Sequence, residues 1–517
     1  MKAHIGFIPV LFLTSLSLGL SAQTKLAMDS IAPIDYAADS VAMLGYAMAK
    51  QHPVWIAKEM KNGFNQNGIR TFYSKGNFIP AQGASQIKAI QVHTEGKTTW
   101  NKTHFWGSME YLRQQEDSTA LRHQTGINTD APIYFGSLRK NYYERDLYNL
   151  KAAIQHPFAD GKLPITWSID YRLGSHFSNN DPRGRINDFQ LNTALALGHQ
   201  FGRFSYHLQG SYGYGRERVQ VAYKNDKYMK NTSDPLYVNW YMNGFGSAIH
   251  QLKDINYNDD FKRYGASLHL AYAQSEDQRF YINAGYKNEV QKFKRYEESP
   301  QTYALLNTYT KDGYTFDALW TKRLNSRHAF AVQVEGNVWD GLDLSQDIGK
   351  PNYLYRSEYA SAKGSYLLNS YTLSGKVAYN YQEKKDGRVK SQLSYTHLQP
   401  SVELGKAIVL NEQQALQVAV RWAHRFVLDD KFSLGANNAG IFAETILFHD
   451  YLYQASAANT FGGSINFLQQ KLKKAAWKVG LDVDYTKRST LPAYTFQATS
   501  IPGIDRLQSN LHISLFF

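Results

Sequence analysis

The sequence predicts an all-β protein: a transmembrane antiparallel up-and-down β-barrel with a short helical segment on its N-terminal side. Three observations support this prediction: an export signal, many segments that alternate apolar and polar residues, and links that alternate between short and long. Alternation with a period of two places successive side chains on opposite faces of a strand, so one face can meet lipid and the other a watery lumen.

Residues 1–22 have the features of a secretory signal peptide. Lys2 precedes an apolar run from Ile5 to Leu20, and small residues lead to an expected cleavage after Ala22. An uncleaved anchor is the alternative, but a spanning helix needs ~20 apolar residues and this run is shorter. The chain has no cysteine, which excludes a lipid-modified cysteine, disulfides and thiolate metal sites.

Residues 23–66 are predicted to be partly helical. Tyr36 to Lys50 is rich in Ala and Met at helix-like spacing, and His52-Pro53-Val54-Trp55 leads into a second short amphipathic stretch. Two roles are open for this part of the chain: a small plug within the lumen, or a periplasmic extension packed across the barrel mouth. It is too short to be the plug domain of a TonB-dependent receptor.

The barrel itself is predicted to occupy residues 67–517. Segments such as Phe204 to Tyr214 set aromatic and aliphatic residues against polar ones, and no amphipathic helix separates such segments. Short periplasmic turns and long external loops explain the rhythm of the links. The long links are expected at 116–144, 219–258, 293–310, 341–353, 428–453 and 489–504.

The best strand count is eighteen, with sixteen or fourteen as alternatives because the first two segments and 354–367 alternate least clearly. An even count puts both ends of the barrel on the periplasmic side. The predicted strands lie at 67–76, 84–96, 101–115, 145–157, 163–175, 186–200, 202–218, 259–275, 278–292, 311–323, 327–340, 354–367, 370–384, 392–408, 414–427, 454–470, 475–488 and 505–517.

Composition excludes several classes of protein. A mean hydropathy of −0.48 with 14% aromatic residues argues against a helical membrane protein but suits a barrel, because half of each barrel strand is polar. The net charge of +13 is scattered without a basic patch, which favours attraction to anionic lipopolysaccharide over nucleic acid. The sequence lacks phosphate-binding glycine loops and nucleophile-elbow motifs, so no cofactor is predicted.

Two pairs of residues could suit a hydrolase, and both are better explained structurally. His449 and Asp450 lie in a long loop, but adjacent residues of an extended segment point in opposite directions. His512 and Ser514 share the polar face of one strand, which should line the lumen away from any lipid substrate. The sixteen histidines are spread singly, which favours isolated polar residues over a metal site. The chain is therefore predicted not to be an enzyme.

Inward positions of the predicted strands carry charges of both signs. Opposite charges can brace the wall as ion pairs or form a selectivity filter, and both alternatives stand. The candidate lumen residues are Asp170, Arg172, Arg203, His207, Lys287, Glu335, Lys376, Arg421, Asp482 and Asp484.

The long loop 219–258 is the best candidate for binding a ligand or a partner. Aromatic faces beside lysine donors suit sugars, peptides, haem-like ligands and protein partners. The alternative is that the rings pack the loop over the barrel mouth. The candidate residues are Tyr223, Tyr228, Tyr237, Trp240, Tyr241 and Phe245.

The last predicted strand, Asp505 to Phe517, alternates throughout and ends on an aromatic residue. Leu515 and Phe517 belong to its apolar face, which is expected to meet lipid. We predict that these two residues form the assembly signal that the barrel-insertion machinery reads.

Together these features resemble an uncharacterised family of Bacteroidota-type outer-membrane barrels of about this length, with a signal peptide and a C-terminal aromatic residue. The motif His52-Pro53-Val54-Trp55 resembles the usual beginning of that family, and Asn180-Asp181-Pro182-Arg183 resembles its recurrent Asp-Pro-Arg loop. The resemblance implies a barrel in the outer membrane of a Gram-negative bacterium, and it implies no activity.

The sequence thus predicts a porin-like barrel for passage or capture of a solute at the cell surface. One alternative is an accessory or scaffold barrel that docks surface lipoproteins, an uptake receptor or secretion machinery; a less favoured one is a membrane-embedded hydrolase. The expected partners are outer-membrane lipid, lipopolysaccharide and the barrel-insertion machinery, with a surface lipoprotein or uptake receptor for the accessory role, and no nucleic acid.

Overall fold

The structure is a computed structural model of the 517-residue chain. It describes residues 40–123, 130–230, 234–251, 255–298, 301–325, 327–435, 440, 442–471, 475–496 and 499–517. The predicted signal peptide lies outside the described residues. The chain divides into two compact units, 1–32 and 33–517, and the following description concerns the second.

Eighteen antiparallel strands form one closed sheet, which confirms the predicted fold class and strand count. The last strand pairs with the first, so the sheet has no free edge. In chain order the strands are β1 (Phe64–Gly76), β2 (Gln86–Trp100), β3 (Thr103–Thr119), β4 (Ile133–Ser137), β5 (Asn141–Phe158), β6 (Leu163–Ser178), β7 (Arg183–Phe201), β8 (Phe204–Ala222), β9 (Asn239–Asn243), β10 (Ser247–Gln251), β11 (Ile255–Ala273), β12 (Gln278–Glu297), β13 (Thr302–Asn325), β14 (His328–Ser345), β15 (Lys350–Leu368), β16 (Tyr371–Asp386), β17 (Ser391–Asn411), β18 (Gln414–Ser433), β19 (Ala458–Lys471), β20 (Ala475–Arg488) and β21 (Asp505–Phe516). All but β4, β9 and β10 belong to the barrel.

The two faces of the wall differ as the alternation predicts. On β8, Tyr206, Leu208 and Tyr212 are exposed on the outside, whereas Ser205 and His207 are buried on the inside. Uncovered aliphatic and aromatic side chains in a continuous band are favoured only where the surroundings are apolar too. The outer face is therefore built to contact lipid.

The two ends of the barrel carry different connections. Tight turns lie at one end, here called the short-turn end: 101–102, 159–162, 202–203, 274–277, 369–370 and 412–413. The opposite loop end carries the long links 120–140, 223–254, 434–457 and 489–504. The long links predicted at 293–310 and 341–353 are wrong, because β12 to β15 continue beyond their predicted ends and leave only short connections.

The extended strands explain this difference. Strand β13 is 24 residues long, whereas about 9–11 residues suffice to cross the apolar core of a membrane. The additional length extends the wall at the loop end, and this extended part is here called the collar. The loops therefore fold within this collar.

The long loops contain structure that the alternation does not predict. Strands β4, β9 and β10 form a separate antiparallel sheet in the order β10-β9-β4, which joins the loop after β3 to the loop after β8.

Helices appear at the N-terminal side and in the loops. On the N-terminal side are α1 (Ser40–Gln51), a 3-10 turn (Pro53–Trp55) and α2 (Ile56–Glu59). The loops carry α3 (Asp226–Lys230) and, after a π-helical turn at Ala443–Leu447, α4 (Phe448–Gln454). None of the helices within the described residues has both the length and the apolar character needed to cross a membrane.

Two apolar clusters occupy opposite ends of the barrel interior. The cluster at the short-turn end includes Trp55 and Ile56 with inward side chains such as Trp106 and Leu319. The cluster at the loop end gathers the loop sheet, the residues before α4 and inward aromatic side chains of the wall. Between the two ends, the inward side chains are mainly polar and charged.

Strand β21 provides a test of the outward assignment. Leu515 and Phe517 are exposed on the outer face, and the backbone N–H of Phe517 donates to the Asn65 carbonyl of β1 at 2.9 Å. We expect Leu515→Arg and Phe517→Arg to reduce the assembled barrel in the membrane fraction, because charge on the lipid face is unfavourable. The measurement is the heat-modifiable band in gels of isolated membranes.

The matched control is Asn510→Arg, which places the same charge on the inward face of the same strand. Asn510 lies 3.5 Å from the Asp482 carboxylate, so a cation is compatible there. Normal assembly of all three variants would contradict the outward assignment.

Candidate functional site

The N-terminal segment, defined as residues 40–63, packs against inward side chains at the short-turn end. Trp55 lies at its centre and is fully buried. Its indole Nε1 donates to Asn283 Oδ1 at 2.9 Å, and its ring contacts His207 and Tyr281 edge-on at centroid distances of 5.1 and 5.2 Å. Strands β8 and β12 therefore form a pocket for one tryptophan.

Two carboxylates tie this segment to the wall. Glu95 of β2 accepts hydrogen bonds from Tyr46 Oη, from Lys50 Nζ at 2.7 Å and from the Trp106 indole of β3 at 2.9 Å. Charge-assisted hydrogen bonds of this kind are roughly twice as strong as neutral ones. Glu95 thus joins α1 to two neighbouring strands at once.

The second carboxylate belongs to the segment itself. Glu59 of α2 accepts from Arg279 Nη1 at 2.7 Å and from Tyr281 Oη on β12. His52 Nε2 lies 3.0 Å from Asp317 Oδ2 on β13. The segment is consequently held on the opposite side of the barrel as well.

Main-chain groups of the segment are also satisfied by the wall. The Gln155 side chain of β5 donates to the Val54 carbonyl at 2.9 Å and accepts from the Ala57 N–H at 3.2 Å. Lys58 Nζ donates to Ser205 Oγ at 2.7 Å, and burial lowers the pKa of Lys58. Polar groups buried without such partners would be costly, so this docking is specific in position.

The loop end is closed by a different structure. Phe135 of β4 contacts both Tyr241 of β9 and Tyr257 of the wall, and its ring centroid lies 5.4 and 5.0 Å from theirs. Lys311 Nζ contacts Asp130 at 2.8 Å, and Tyr353 Oη donates to the Asp130 carbonyl at 2.9 Å. The loop sheet is therefore fastened inside the collar.

The six candidate aromatic residues of loop 219–258 separate into two groups. Trp240, Tyr241 and Phe245 belong to the apolar cluster at the loop end, which matches the alternative of packing over the barrel mouth. Tyr223, Tyr228 and Tyr237 instead form a half-buried patch, here called the tyrosine patch. Tyr228 and Tyr237 stack at 3.9 Å, and Tyr223 Oη donates to the Tyr237 carbonyl at 2.8 Å.

The Asp-Pro-Arg loop supports the beginning of the same long loop. The Asp181 carboxylate accepts from the N–H groups of Lys224 and Asn225 at 3.1 and 2.9 Å. The same carboxylate also accepts a hydrogen bond from Arg183 Nε at 2.9 Å. A buried aspartate with these three donors fixes where the loop leaves β8.

His449 and Asp450 have a structural role. They lie in α4, so the prediction of an extended segment here is wrong: the loop forms a short helix. His449 contacts Ser500 Oγ at 2.8 Å and the Ile79 carbonyl at 2.9 Å, and Asp450 accepts from the Ala81 N–H at 2.8 Å. Both residues hold the loop between β1 and β2.

A polar chamber lies between the N-terminal segment and the loop cluster. We define the central chamber by inward charges at mid-height, such as Lys151, Asp170, Arg421 and Asp484. Side chains of Lys151 and Asp170 are 49% and 48% accessible, whereas Asp188 in the collar is 0% accessible. The difference shows open space at mid-height.

Most of the candidate lumen residues point inward and meet neighbours there. Arg421 binds Asp484 through two hydrogen bonds of 2.6 Å, and Arg172 binds Asp188 at 2.6 Å. The remaining contacts are as follows: Asp170 to Lys151 at 3.7 Å, Lys376 to Tyr359 at 2.9 Å, Glu335 to Gln333 at 2.6 Å, Asp482 to His512 at 3.7 Å, and His207 to Trp55. Lys287 shares the inward face of β12 with Asn283.

Arg203 is the exception to the inward prediction. The β7–β8 hairpin closes at the pair Phe201 and Phe204, which leaves Arg203 exposed in the turn. His512 and Ser514 do lie on the inward face of β21. Among the residues that the structure describes, no group of three or more His, Asp or Glu is placed to hold a metal ion.

Glu59 and Glu95 are the functional candidates that sequence reasoning misses. Each is a single acidic residue in an unremarkable stretch, and its role depends on partners far along the chain. The only available signal is that Glu95 lies on the polar face of β2, where a charge close to the barrel end needs a partner.

The family to which the sequence belongs is shown by a match over most of its length. A model described as "Family of unknown function (DUF6850)" matches residues 53–517. The chain belongs to this family. The DUF6850 match begins at Pro53, so it includes Trp55 and α2 together with the whole barrel. The Bacteroidota-type origin and the recurrent Asp-Pro-Arg loop stay predictions.

Known proteins add the following comparisons. No curated protein matches the DUF6850 chain. Similar solved structures include the siderophore receptor PiuA from Acinetobacter baumannii, with 9% identity, 88% of this chain and 82% of that chain covered, and a TM-score of 0.43. The ferric preacinetobactin receptor BauA from the same organism has 8% identity, coverages of 88% and 80%, and a TM-score of 0.43. The FrpB iron transporter from Neisseria meningitidis has 10% identity, coverages of 90% and 83%, and a TM-score of 0.36. At this level the likeness concerns the barrel fold alone.

Replacing the central tryptophan tests the docking of the N-terminal segment. We expect Trp55→Ala to destabilise the docked state by about 3–5 kcal/mol, the usual cost of removing a buried tryptophan. Hydrogen exchange of the amides of residues 41–60 in detergent should then accelerate by roughly 100-fold or more. The control is Trp100→Ala, whose side chain is 68% exposed; equal exchange in the two variants would contradict the docking.

Proposed function

We propose that this chain is an outer-membrane barrel that captures a solute at the cell surface and controls its passage with the N-terminal segment as a plug. One observation carries the proposal: the lumen is obstructed at both ends and has an accessible charged chamber between them. A barrel of eighteen strands would otherwise enclose a wide aqueous channel. Obstruction of this kind suits gated passage better than free diffusion.

The orientation follows from the two ends. Short turns face the periplasm and long loops face outward in outer-membrane barrels, and an N-terminal signal peptide predicts export. The N-terminal segment then closes the periplasmic side, and the loop cluster closes the side on which a solute arrives. Capture therefore takes place at the loops, and release requires movement of the plug.

The contacts of the plug fit a reversible closure. They combine an apolar cluster around Trp55 and Ile56 with polar contacts, including the ion pair of Glu59 with Arg279 and the contact of His52 with Asp317. The polar groups can exchange partners with water when the plug leaves, so only the apolar contacts around Trp55 are lost outright. The plug can thus undock as a unit while the hydrogen-bonded wall stays intact.

A non-enzymatic role is part of this proposal. The two pairs that could have suited a hydrolase serve the architecture: His449 and Asp450 hold the loop after β1, and His512 lies beside Asp482 inside the barrel. The Ser500 hydroxyl that His449 contacts at 2.8 Å belongs to the same loop packing, because the other ring nitrogen of His449 binds the Ile79 carbonyl at 2.9 Å.

Docking of a partner protein is the second candidate. The tyrosine patch favours it, because Tyr228 and Tyr237 stack at the loop end and the Arg139 guanidinium lies over the Tyr237 ring at 4.8 Å. Tyrosine and arginine are enriched at the centres of protein interfaces. Co-purification of a stoichiometric partner that is lost in Tyr228→Ser would favour the accessory role.

The absence of cysteine in the chain permits a direct test of the plug. Ser168 lies on the inward face of β6, one inward position from the buried Thr166. In Ser168→Cys we expect slow labelling by a membrane-impermeant maleimide, because both ends are closed. Removal of residues 40–62 should raise the labelling rate at least tenfold, measured by mass spectrometry.

The reference is Ser489→Cys, at an exposed loop position, which should label rapidly with and without residues 40–62. Rapid labelling of Ser168→Cys in the intact chain would indicate an open pore. Slow labelling after removal of residues 40–62 would show that this segment does not seal the chamber. Either result would contradict the proposed gate.

A further inference from the structure

A partly open cavity of about 370 Å³ lies at the loop end beneath the link between β1 and β2. Binding sites for small molecules commonly have volumes of this order. The roof is the link 77–85, which Asp450 holds through the Ala81 N–H. The walls come from β2, β3 and β17 to β21, and the cavity lies on the side of the loops that faces the central chamber.

Three arginines line this cavity: Arg122, Arg425 and Arg506. Glu116 is the only carboxylate among the lining residues that the structure describes. It is already shared, because it accepts Arg145 Nη2 at 2.9 Å as well as Arg122 Nη2 at 3.3 Å. The cavity therefore has a clear excess of positive charge.

The hydrogen bonds of Arg425 and Arg506 satisfy their N–H donors but do not neutralise their positive charge. Arg425 donates to the carbonyls of Tyr453 and Ser456 at 2.9 and 2.7 Å. Arg506 donates to the Ala84 carbonyl at 3.1 Å. Neutral carbonyls position a guanidinium but leave its positive charge uncompensated, and a buried charge of this kind is costly unless an anion pairs with it.

Arg122 is the arginine whose positive charge is least well compensated by its neighbours. Its Nε is buried and has no hydrogen-bond partner, and its side chain is only 17% exposed. Burial, together with the neighbouring Arg145 guanidinium, lowers the pKa of Arg122. Arginine stays charged in proteins, so the single Glu116 carboxylate does not balance the Arg122 and Arg145 guanidinium groups that share it.

The rest of the lining suits an organic molecule rather than a bare ion. Arg425 lies over the rings of Phe78 and Tyr453, 5.2 and 5.1 Å from their centroids. Gln399 and Gln508 add amide groups. Planar guanidinium groups bind carboxylate and phosphate through two parallel hydrogen bonds, and the aromatic rings can pack against a carbon skeleton.

We propose that this cavity binds small organic anions whose carboxylate or phosphate groups pair with Arg122, Arg425 and Arg506. Binding follows from the cavity alone; its role as the capture site for transport rests on the function proposed above. An anion held there lies between the loops and the central chamber, so it occupies the entry side of the passage.

Ligand binding to the purified full-length barrel in detergent tests the proposal. The probes are citrate, inorganic phosphate and, as a neutral molecule, sucrose, each measured by isothermal titration calorimetry. We expect citrate or phosphate to bind, with affinity that falls as salt rises, and sucrose not to bind. Preference between the two anions distinguishes carboxylate from phosphate as the recognised group.

Arg122→Gln and Arg506→Gln should each weaken anion binding at least tenfold, which is the effect of losing one charged hydrogen bond. The matched control is Arg356→Gln, which removes a surface arginine that pairs with Glu358 at 2.7 Å and should leave binding unchanged. Heat-modifiability of each variant checks that the barrel is folded. Two arginine variants guard against the loss of either one to misfolding.

The proposal is overturned if neither anion binds, if binding survives both cavity variants, or if Arg356→Gln weakens it equally. These outcomes are distinct from failure of the plug. Anion binding combined with rapid labelling of Ser168→Cys would support the site and contradict gating. Slow labelling without anion binding would support gating and contradict the site.

Discussion

Closure of the sheet by β21 on β1 is the constraint on which the rest of this structure depends. Backbone N–H and C=O groups have no water to bind in the apolar core of a membrane, so each must find a partner within the protein. The register from Gln66 with Phe516 to Gly76 with Arg506 supplies the last set of partners. Once the ring is closed, strand number fixes the width of the lumen, and a wide lumen must be either filled or left to water.

Three different kinds of structure occupy that space. Helical residues and one tryptophan occupy the short-turn end, a small sheet with aromatic packing occupies the loop end, and charged side chains line the middle. The kind of contact at each level of the barrel depends on the local dielectric. Buried ends use apolar contacts and paired charges, whereas the chamber keeps its charges partly accessible, as the 28% exposure of Arg421 and Asp484 shows.

Sequence alone predicts the strands of the barrel wall much better than the segments and loops packed inside the barrel. Wall strands such as β8 obey a local period of two, and lipid enforces that period at every outward position. The contents depend on contacts between distant residues: Trp55 meets Asn283, and His449 meets Ile79. Arg203 shows the limit of this alternation. Counting alternate positions along β8 places Arg203 inward, but the residue lies in the hairpin turn 202–203, before the strand begins at Phe204. The alternation of residues cannot predict the arginine cavity, because the lining residues come from five or more separate segments of the chain.

The distance along the chain between the N-terminal segment and its partners in the wall also implies an order of folding events. His52 contacts Asp317, 265 residues later, and Glu59 contacts Arg279, 220 residues later. Contacts between residues so far apart carry a large loop-closure entropy and form only after the intervening chain is ordered. The N-terminal segment leaves the ribosome early, yet it reaches its place late, after β2 and β13 have taken their positions on opposite sides of the ring. The contacts of Trp55 therefore require strands that are already in place, so docking of the N-terminal segment belongs to a late stage of assembly.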